Sequence, residues 1–500
     1  MSTSTSPAPA RYQLYINGEW TDPADNEWFD TVEPYSGQVW AQIPRGTAAD
    51  ANRAVEAAHT AFTSGPWPEM TATQRATLLR KLAALIEENA DHLGRIEQRD
   101  NGKLITEVRG QVLNIAQWFY YYAGLADKVG GDVIPVNKPG VINYTRFEPL
   151  GVVVAITPWN SPLSLTAWKM APALAAGNTI VIKPSEHASA SILELARLAS
   201  QAGIPKGVVN VVTGFGAEIG DPLVRHPLTR KIAFTGGEAG GQKVNEAAAS
   251  GFKRVTLELG GKSPNIVFED ADIDQALKGV ISGIFAAAGQ TCMAGSRLLL
   301  QSSIHDAFVE RLVELTRQAR IGDPSLPDTQ LGPIATRQQW EHVLRLIDTA
   351  KAEGAQCVLG GHALSGPEYG QGQFVAPTIF TNVDNNMSIA RQEVFGPVLS
   401  VIRFDDEDDA LRLANDTEFG LAAAVWTQDL RRAMKCVEKI QAGTVWVNNY
   451  RTTSFTSPFG GYKRSGLGRE GGVDAIKEYM QVKSVWITPS PRRDNPFVLG

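Results

Sequence analysis

The chain has 500 residues, too many for one hydrophobic core, so its length predicts two or three domains. Its formal net charge is only −6 and no block of Lys or Arg stands out, which argues against a nucleic-acid partner or binding to a membrane surface. Three cysteines and seven scattered histidines argue against a disulfide framework and against a metal site.

The N-terminal residues 1–10 combine Ser, Thr, Pro and Ala without a basic region or an apolar run. This composition predicts a short disordered tail and no signal peptide. The apolar stretch 151–182 is broken by prolines and polar residues, so no transmembrane helix is expected. Together with the low cysteine count, these features predict a reducing, cytoplasmic location.

The first structural signal is the Asn17-Gly18 pair, which predicts a hairpin turn within residues 12–20. Helical patterns follow at 48–62 and 73–89. From residue 150 to 261, runs rich in Val and Ile alternate with helical stretches, which predicts a parallel sheet covered on both faces. The predicted strands are 152–157, 179–183, 208–214, 231–236 and 255–259, and the predicted helices are 163–176, 189–202, 217–225 and 240–250. This arrangement is typical of a dinucleotide-binding, Rossmann-like fold.

The alternation begins again after Lys262. The predicted strands 265–268 and 297–301, with predicted helices at 273–288 and 304–320, indicate a second α/β domain. The last stretch, 479–488, has the alternation of a strand and is expected to pair with residues 133–147. Two interpretations of this pair remain open, an extension that reaches another subunit and a terminus packed on its own domain.

Two reactive side chains lie in short loops of small residues, Cys292 in Gly-Gln-Thr-Cys and Glu258 in Leu-Glu-Leu-Gly-Gly-Lys. A thiolate attacks a carbonyl carbon, and a carboxylate activates water against the resulting thioester. The pair predicts oxidation of an aldehyde through a covalent intermediate. The alternatives are a buried structural thiol and a carboxylate paired with Lys262. Cys357 and Cys436 have the character of structural residues.

Several motifs occur together, in an order and spacing that chance hardly explains. They are Ile-Asn-Gly-Glu-Trp (16–20), Thr-Pro-Trp-Asn (157–160), Lys-Pro-Ser-Glu (183–186), Leu-Glu-Leu-Gly-Gly-Lys (257–262), Gly-Gln-Thr-Cys (289–292), Glu-Val-Phe-Gly-Pro-Val (393–398) and Pro-Phe-Gly-Gly-Tyr-Lys-Arg-Ser-Gly-Leu-Gly-Arg-Glu (458–470). With this set the chain resembles the NAD(P)-dependent aldehyde dehydrogenase superfamily, of the hydrolytic type, over nearly its whole length.

The resemblance implies a catalytic group. Cys292 is implied as the nucleophile and Glu258 as the general base. The side-chain amide of Asn160 is implied as an oxyanion donor, together with the Cys292 N–H. Lys169 is placed near the cleft without a defined role. For Asn160, capping of the helix near Leu163 is the alternative.

The implied cofactor is NAD, with NADP tolerated. A carboxylate at Glu186 accepts from the ribose 2′-hydroxyl and repels a 2′-phosphate, whereas the nearby Lys183 tempers that repulsion. At Gly237 the family often has a serine, so a hydroxyl contact to the pyrophosphate is missing here. The implied cofactor residues are Thr157, Trp159, Lys183, Ser185, Glu186, Gly216, Gly220, Phe234, Gly236, Gly237, Leu259, Glu393 and Phe395.

Two cofactor assignments have plain structural alternatives. Glu393 and Phe395 are implied to hold the nicotinamide ribose and pack beside its ring, but Phe395 in the core and Glu393 at the surface is the other interpretation. Lys183 and Glu186 are equally compatible with an exposed salt bridge.

The substrate side is less defined. The implied residues at the substrate mouth are Trp118, Tyr122, Ser161, Leu165, Trp168, Met293, Arg451 and Phe455. The aromatic members favour an apolar or cation-tolerant funnel for a small-molecule aldehyde. Ser161 is small where relatives often carry an aromatic residue, which leaves room for a bulkier aldehyde. Arg451 is either an anchor for an acidic substrate tail or a solvated loop arginine.

We therefore expect an α/β protein with a Rossmann-like NAD-binding domain (1–130 and 147–262), a second α/β catalytic domain (263–443) and a small β oligomerisation extension (131–146 and 479–500). Residues 444–478 return to the substrate mouth, and a homodimer or homotetramer is expected. Three alternatives remain open: a CoA-acylating relative, a semialdehyde dehydrogenase that uses Arg451, and a catalytically idle protein on the same fold.

Overall fold

The structure is a computed structural model that describes residues 9–489 and residue 497. The tail expected at residues 1–10 lies almost wholly outside the described residues, as does most of the segment 490–500. The fold is α/β and contains two large sheets of eight and seven strands. This confirms the predicted fold class.

The first sheet has a parallel centre and antiparallel edges. Its strands, in spatial order, are Gly466–Leu467, Arg254–Glu258, Thr229–Thr235, Val152–Thr157, Thr179–Pro184, Val209–Val211, Leu14–Ile16 and Glu19–Thr21. The hairpin at Asn17-Gly18 forms as predicted, because both residues adopt the positive φ angles that its tight turn requires (54° and 75°).

Helices cover both faces of this sheet, since its central strands are apolar on both sides. They are Ala48–Thr63, Pro66–Glu69, Ala72–Glu88, Ala90–Asn101, Ile105–Leu125, Pro162–Ala176, Ala190–Gln201, Asp221–Arg225 and Glu238–Ala249, with a π-helical turn at Gly216–Gly220. The helix Ala72–Glu88 begins at a capping box, in which Thr71 and Gln74 satisfy each other's backbone N–H groups.

The second sheet is also mainly parallel, with one antiparallel edge strand. Its strands, in spatial order, are Gln356–Leu359, Thr378–Thr381, Val398–Phe404, Arg297–Gln301, Pro264–Val267, Ala422–Trp426 and Thr444–Val447. Its helices are Ile273–Phe285, His305–Arg317, Arg337–Ala352, Ser388–Arg391, Glu407–Asn415 and Leu430–Lys439. Short 3₁₀ turns lie at Ala286–Gly289, Ser302–Ile304, Pro367–Tyr369 and Asp474–Tyr479. Cys436 is a buried core residue of its helix, as predicted.

The strand expected near residue 479 spans Met480–Ile487 and pairs along its whole length with Ile142–Pro149. Val133–Ile134 adds a third strand to this sheet. The remaining pairings are small: Ala10–Arg11 and Trp28–Val32 flank Val39–Pro44, Ala363–Leu364 pairs with Phe374–Val375, and Phe419–Gly420 pairs with Tyr462–Lys463. Within the described residues no helix is long and apolar enough to cross a membrane.

Four predicted elements differ from the structure. The helix expected at 304–320 spans His305–Arg317. The helix expected at 273–288 ends at Phe285, because Ala287 and Ala288 adopt left-handed φ angles of 52°. The helix expected at 217–225 divides into the π-helical turn and a short α-helix. The strand expected at 208–214 shortens to Val209–Val211. The domain boundaries remain a prediction.

Candidate active site

A cavity of about 260 Å³ lies where the carboxyl ends of the first sheet face the loop that precedes the strand Arg297–Gln301. Its position agrees with the rule that ligands of such sheets bind beyond the strand ends. The residues that line it are Pro158, Trp159, Asn160, Leu165, Thr235, Gly236, Gly237, Glu258, Leu259, Gly260, Cys292, Gln339, His342, Glu393 and Phe395. A larger open groove beside His305 and Arg317 has no cysteine among the described residues that line it.

Cys292 is one of three unpaired cysteines and the one that reaches this cavity. Its loop is shaped by Gly289, where a side chain would overlap the backbone of Gly396. Burial, followed by the charges of Glu393 and Glu258, raises the pKa of the Cys292 thiol to about 12. The thiol is therefore protonated near neutral pH until a base removes its proton.

Glu258 ends its strand and points into the same cavity. Neither carboxylate oxygen accepts a hydrogen bond from any group in the described chain. Burial, together with the neighbouring charge of Glu470, raises the pKa of Glu258 well above its usual range. The alternative pairing with Lys262 is wrong, because Lys262 Nζ is buried without a partner in residues 9–489. A buried, unpartnered carboxyl in a cavity is typical of functional sites.

Lys169 forms a buried network behind Glu258. Its Nζ lies 2.6 Å from Thr235 Oγ1 and 2.6 Å from Glu470 Oε1, and both members of the ion pair are almost fully buried. Glu470 and Lys169 act on Glu258 in opposite directions, because the first raises its pKa and the second lowers it.

Asn160 lies beside the sulfur loop. Its Nδ2 donates to the carbonyl of Gln290 at 3.0 Å, so one of its two amide hydrogens is engaged. The backbone of the Trp159–Asn160 turn is held by Asn101, whose Nδ2 donates to both carbonyls. The residue at the N-cap of the helix Pro162–Ala176 is Ser161, so the capping alternative for Asn160 is wrong.

Glu393 and Phe395 stand opposite the Glu258 loop. Glu393 Oε1 accepts from the Gly261 N–H at 3.0 Å, and a Cβ at Gly260 would overlap Glu393 Oε2. Burial raises the pKa of Glu393 to about 7. Phe395 has a φ of 52°, and Gln339 holds this strained turn by donating to the carbonyls of Val394 and Phe395.

A second group of predicted cofactor residues lies outside the lining of the cavity. Lys183 Nζ lies 3.1 Å from Glu186 Oε2, and a Cβ at Gly216 would approach that Nζ. The pair is not an exposed salt bridge, since Lys183 is buried and Glu186 is half-buried. Burial lowers the pKa of Lys183, and Glu186 partly offsets this. Thr157, Ser185, Gly220 and Phe234 occupy the neighbouring strand ends and turns.

These residues fit an NAD molecule. Gly236 and Gly237 bring backbone close to the cavity, and a Cβ at Gly237 would meet open space. The helix Glu238–Ala249 begins directly after them, so its free N–H groups are available to a pyrophosphate. Glu186 carries the carboxylate that would accept from a ribose hydroxyl, and Lys183 carries the ammonium group that would contact a neighbouring phosphate. Across residues 9–489, no three His, Cys, Asp or Glu side chains come together as a metal site.

The predicted substrate residues are brought together only in part. Leu165 lines the cavity, and Trp168 stacks on Trp118 with ring centroids 4.6 Å apart. Tyr122 is fully buried and donates to the carbonyl of Gly472. Phe455 packs on Tyr121, and Met293 accepts through its carbonyl from Tyr450.

Arg451 lies 3.5 Å from Glu107 Oε1 and donates to the carbonyl of Ser282. Arg451 is therefore not a solvated loop arginine in this structure.

Besides Pro158 and Gly260, four polar residues at this site were not singled out from the sequence. Glu470 is the last residue of the motif 458–470. The signal that could have identified it was an acidic residue among glycines. Thr235 stands between Phe234 and Gly236, both of which were predicted as cofactor residues. Gln339 and His342 come from the helix Arg337–Ala352, and nothing in its amphipathic pattern distinguishes them.

Comparison with known proteins agrees with this geometry. The model of the aldehyde dehydrogenase family matches residues 20–485. The chain is 46% identical over 492 residues to (Z)-2-((N-methylformamido)methylene)-5-hydroxybutyrolactone dehydrogenase of Acinetobacter baylyi, covering 98% of this chain and 99% of that protein.

Two solved structures have nearly the same fold. The betaine aldehyde dehydrogenase of Staphylococcus aureus, in complex with NAD⁺, has a TM-score of 0.96 at 39% identity, covering 97% of this chain and 96% of that one. The NAD⁺ complex of an aldehyde dehydrogenase from Bacillus cereus has a TM-score of 0.94 at 42% identity, covering 96% and 97%. The chain thus belongs to the aldehyde dehydrogenase family.

Proposed function

We propose that this protein oxidises an aldehyde to a carboxylic acid with NAD⁺, through a thiohemiacetal and a thioester on Cys292. The observation that carries the proposal is the shared cavity in which Cys292 faces a buried Glu258 whose oxygens have no partner in the described chain. A nucleophile and a free base in one cleft are the requirements of this reaction.

Glu258 supplies the first proton transfer. The Cys292 thiol has its pKa raised, so it needs a base, and Glu258 is an acceptor in the same cavity. Removal of the proton gives the thiolate, which adds to the aldehyde carbon and forms the thiohemiacetal. NAD⁺, when held in this cleft, would supply the acceptor for the hydride on that carbon, and loss of the hydride would leave a thioester on Cys292.

Asn160 stabilises the oxygen that becomes negative. One amide hydrogen of Nδ2 is engaged by the carbonyl of Gln290, which leaves the other for a substrate oxygen in the cavity that Asn160 shares with Cys292. A preorganised donor of this kind contributes about 3–4 kcal/mol to an oxyanionic transition state. The Cys292 N–H is the second donor in this proposal.

Glu258 acts again in hydrolysis, after it has released the thiol proton to solvent. As a carboxylate it removes a proton from water, and the hydroxide attacks the thioester and releases the acid. Lys169 touches neither substrate nor sulfur in this proposal. It is a positioning residue, since it fixes Glu470 and Thr235 beside the base.

The narrower alternatives are less well supported. A CoA-acylating enzyme has no use for the unpartnered base that Glu258 provides. An anionic tail on the substrate would need a free Arg451, but Glu107 already lies 3.5 Å from that guanidinium and offsets its charge. For the cofactor, Glu186 favours NAD, whereas Lys183 gives NADP some tolerance.

A homodimer or homotetramer is part of the proposal. The three-stranded sheet exposes Val133 (81%), Val482 (59%) and Trp486 (56%), and such an apolar edge is typical of an interface. Packing of the terminus on its own domain explains the pairing with Ile142–Pro149 but not this exposure. We also infer a cytoplasmic location, because a nucleophilic thiol and two further unpaired cysteines need a reducing environment.

The test compares Cys292→Ala with the matched variant Cys357→Ala, using NADH absorbance and an aldehyde panel of aliphatic, aromatic, amino- and carboxy-aldehydes. Cys292→Ala should form no NADH and still bind NAD⁺, whereas Cys357→Ala should keep activity because its half-buried thiol lies outside the cavity. Product analysis with and without CoA separates hydrolysis from acyl transfer. Turnover by Cys292→Ala would exclude the mechanism.

A further inference from the structure

The loop that carries Cys292 begins with a strained turn. Ala287 and Ala288 both have a φ of 52°, and Gly289 has a φ of 73°. Residues with a Cβ keep a left-handed conformation only where the surrounding structure fixes it. Contacts from outside this turn are therefore needed to keep the next residue, Gln290, in place.

The position of the Gln290 carbonyl matters because the oxyanion amide depends on it. Asn160 Nδ2 donates to that carbonyl at 3.0 Å, so the carbonyl sets the direction of the amide group. Both residues are buried. A displaced carbonyl would turn the amide away from the substrate oxygen, and a misplacement of about 1 Å at a reacting centre can lower the rate about 10²-fold.

The side chain of Gln290 holds this carbonyl in place. Its Nε2 donates to the carbonyls of Ala287 and Pro333 at 3.2 and 3.3 Å. Its Oε1 accepts from the Ala335 N–H at 2.9 Å. Both amide hydrogens and the amide oxygen are thus engaged by main chain, which fixes the side chain in one orientation. Gln290 is not among the described residues that line the cavity.

The segment that anchors this side chain is itself held on both sides. The Ile334 N–H donates to the carbonyl of Gln373 at 2.8 Å. The helix Arg337–Ala352 begins directly after the segment, and its N-cap Thr336 accepts from the Gln339 N–H at 3.1 Å. Gln290 therefore connects the strained turn to a firmly bonded part of the chain.

The sulfur end of the loop has restraints of its own. Tyr450 donates to the carbonyl of Met293 at 3.0 Å. The Gly295 N–H donates to the carbonyl of Gly283, also at 3.0 Å. Neither contact involves Gln290, so loss of the Gln290 amide should disturb the oxyanion end of the loop and leave the thiol in place.

We propose that Gln290 is a positioning residue of the reaction, whose side chain fixes the carbonyl that orients the amide of Asn160. This inference rests on the proposed function. Gln290 touches neither the substrate nor the sulfur and acts through Asn160. Loss of its side-chain amide should therefore lower the rate only where the Asn160 amide is present.

A double-variant cycle tests this dependence, with kcat/KM for one aldehyde measured by NADH formation at saturating NAD⁺. Gln290→Met keeps the length of the side chain and should lower kcat/KM about 10- to 100-fold in the wild-type background. Asn160→Ala alone should lower it about 10²–10³-fold, which remains measurable. In that background Gln290→Met should change kcat/KM by less than about twofold, because the amide that it orients is gone.

Alkylation of Cys292 by iodoacetamide in the absence of cofactor gives a second readout. It should proceed in Gln290→Met at nearly the wild-type rate, which a general collapse of the site would not allow. Gln301→Met is the matched control, because Gln301 Oε1 also accepts a backbone N–H, from Glu269, but lies outside the lining of the cavity. This control should keep the wild-type kcat/KM.

Gln290→Asn shortens the amide by one methylene and enters the same cycle where Gln290→Met does not fold. Equal losses in both backgrounds, no loss in the wild-type background, or alkylation slowed as strongly as turnover would each overturn the inference and leave the proposed function standing. Failure of the wild type to form NADH from every aldehyde of the panel contradicts the proposed function itself.

Discussion

Lys169 and Glu470 form an ion pair in the interior of the protein, with Nζ 2.6 Å from Oε1, directly behind the proposed base Glu258. Each charge is acceptable there because the other is present. The pair also sets the electrostatic environment of Glu258, since Glu470 raises the pKa of that carboxyl and Lys169 lowers it. Changes to the pair should therefore affect stability and the pH dependence of turnover together.

Lys169→Met should destabilise the protein by about 3–5 kcal/mol, because it leaves Glu470 buried without a counter-charge. The double variant Lys169→Met/Glu470→Gln should recover a large part of that loss. Chemical denaturation of the single and double variants measures both effects. Equal stability of Lys169→Met and wild type would show that the buried pair makes no net contribution.

Glu470→Gln should change the pH dependence of kcat. The part of the profile in which kcat rises with pH should move toward lower pH. The substitution removes the neighbouring negative charge that raises the Glu258 pKa and keeps the positive charge of Lys169. Glu258 then becomes a carboxylate at lower pH and serves as a base there. A kcat profile measured across the neutral range checks the direction, and an unchanged or alkaline shift contradicts it.

Glu258→Gln should still allow the first round of aldehyde oxidation on Cys292. It should block the thioester hydrolysis that must come before a second round. Hydrolysis needs the carboxylate, so steady-state NADH formation should fall about 10²–10⁴-fold, with an acyl adduct on Cys292 visible by mass spectrometry. Since Glu258 also takes the thiol proton in this proposal, the first turnover should be slowed as well. Loss of activity without any adduct would place the defect before thioester formation.

The same substitution should stabilise the fold increasingly as pH rises. The folded-state pKa of Glu258 is raised, so the carboxyl binds its proton more tightly when folded, and this contribution is lost as pH rises above the unfolded value. The neutral amide avoids the cost of an ionised group in the cavity. The gain in melting temperature over wild type should be larger at about pH 9 than at about pH 5.

Two glycines beside the cofactor cavity should respond in opposite ways. A side chain at Gly237 meets open space at the N-cap of Glu238–Ala249, so Gly237→Ser should be tolerated and should tighten NAD⁺ binding by supplying a hydroxyl. Gly260→Ala should weaken NAD⁺ binding, because the new Cβ overlaps Glu393 Oε2. Titration of NAD⁺ against both variants measures the contrast, and weaker binding by Gly237→Ser would refute the first half.

The strands of the first sheet were predicted well where the local sequence determines the backbone conformation. Val152–Thr157 forms as predicted because a run of β-branched residues, interrupted only by Ala155, stands between Gly151 and Pro158. The end of the helix after Phe285 was not predictable, since alanines favour helix, yet Ala287 and Ala288 are left-handed just before Gly289 packs on the backbone of Gly396. Tertiary contact overrode local preference there.

In the site, too, local motifs were predictable from the sequence and long-range contacts were not. Cys292 and Glu258 lie in recognisable motifs, so their meeting in one cavity was predictable. The network of Lys169, Thr235 and Glu470 was not, because its members are up to 301 positions apart and no local pattern connects them. Ser161 was predicted as a small residue of the substrate mouth, but its hydrogen bond from Lys103, 58 positions away, was not predictable.

The backbone contact at Gly289 and Gly396 has a practical meaning for anyone who wishes to rebuild this enzyme. The segment that carries the sulfur and the segment that carries Phe395 touch main chain to main chain, with no side chain between them to absorb a change. Grafting either loop alone from a relative should misalign both. Chimeras should therefore exchange the two segments as a single unit.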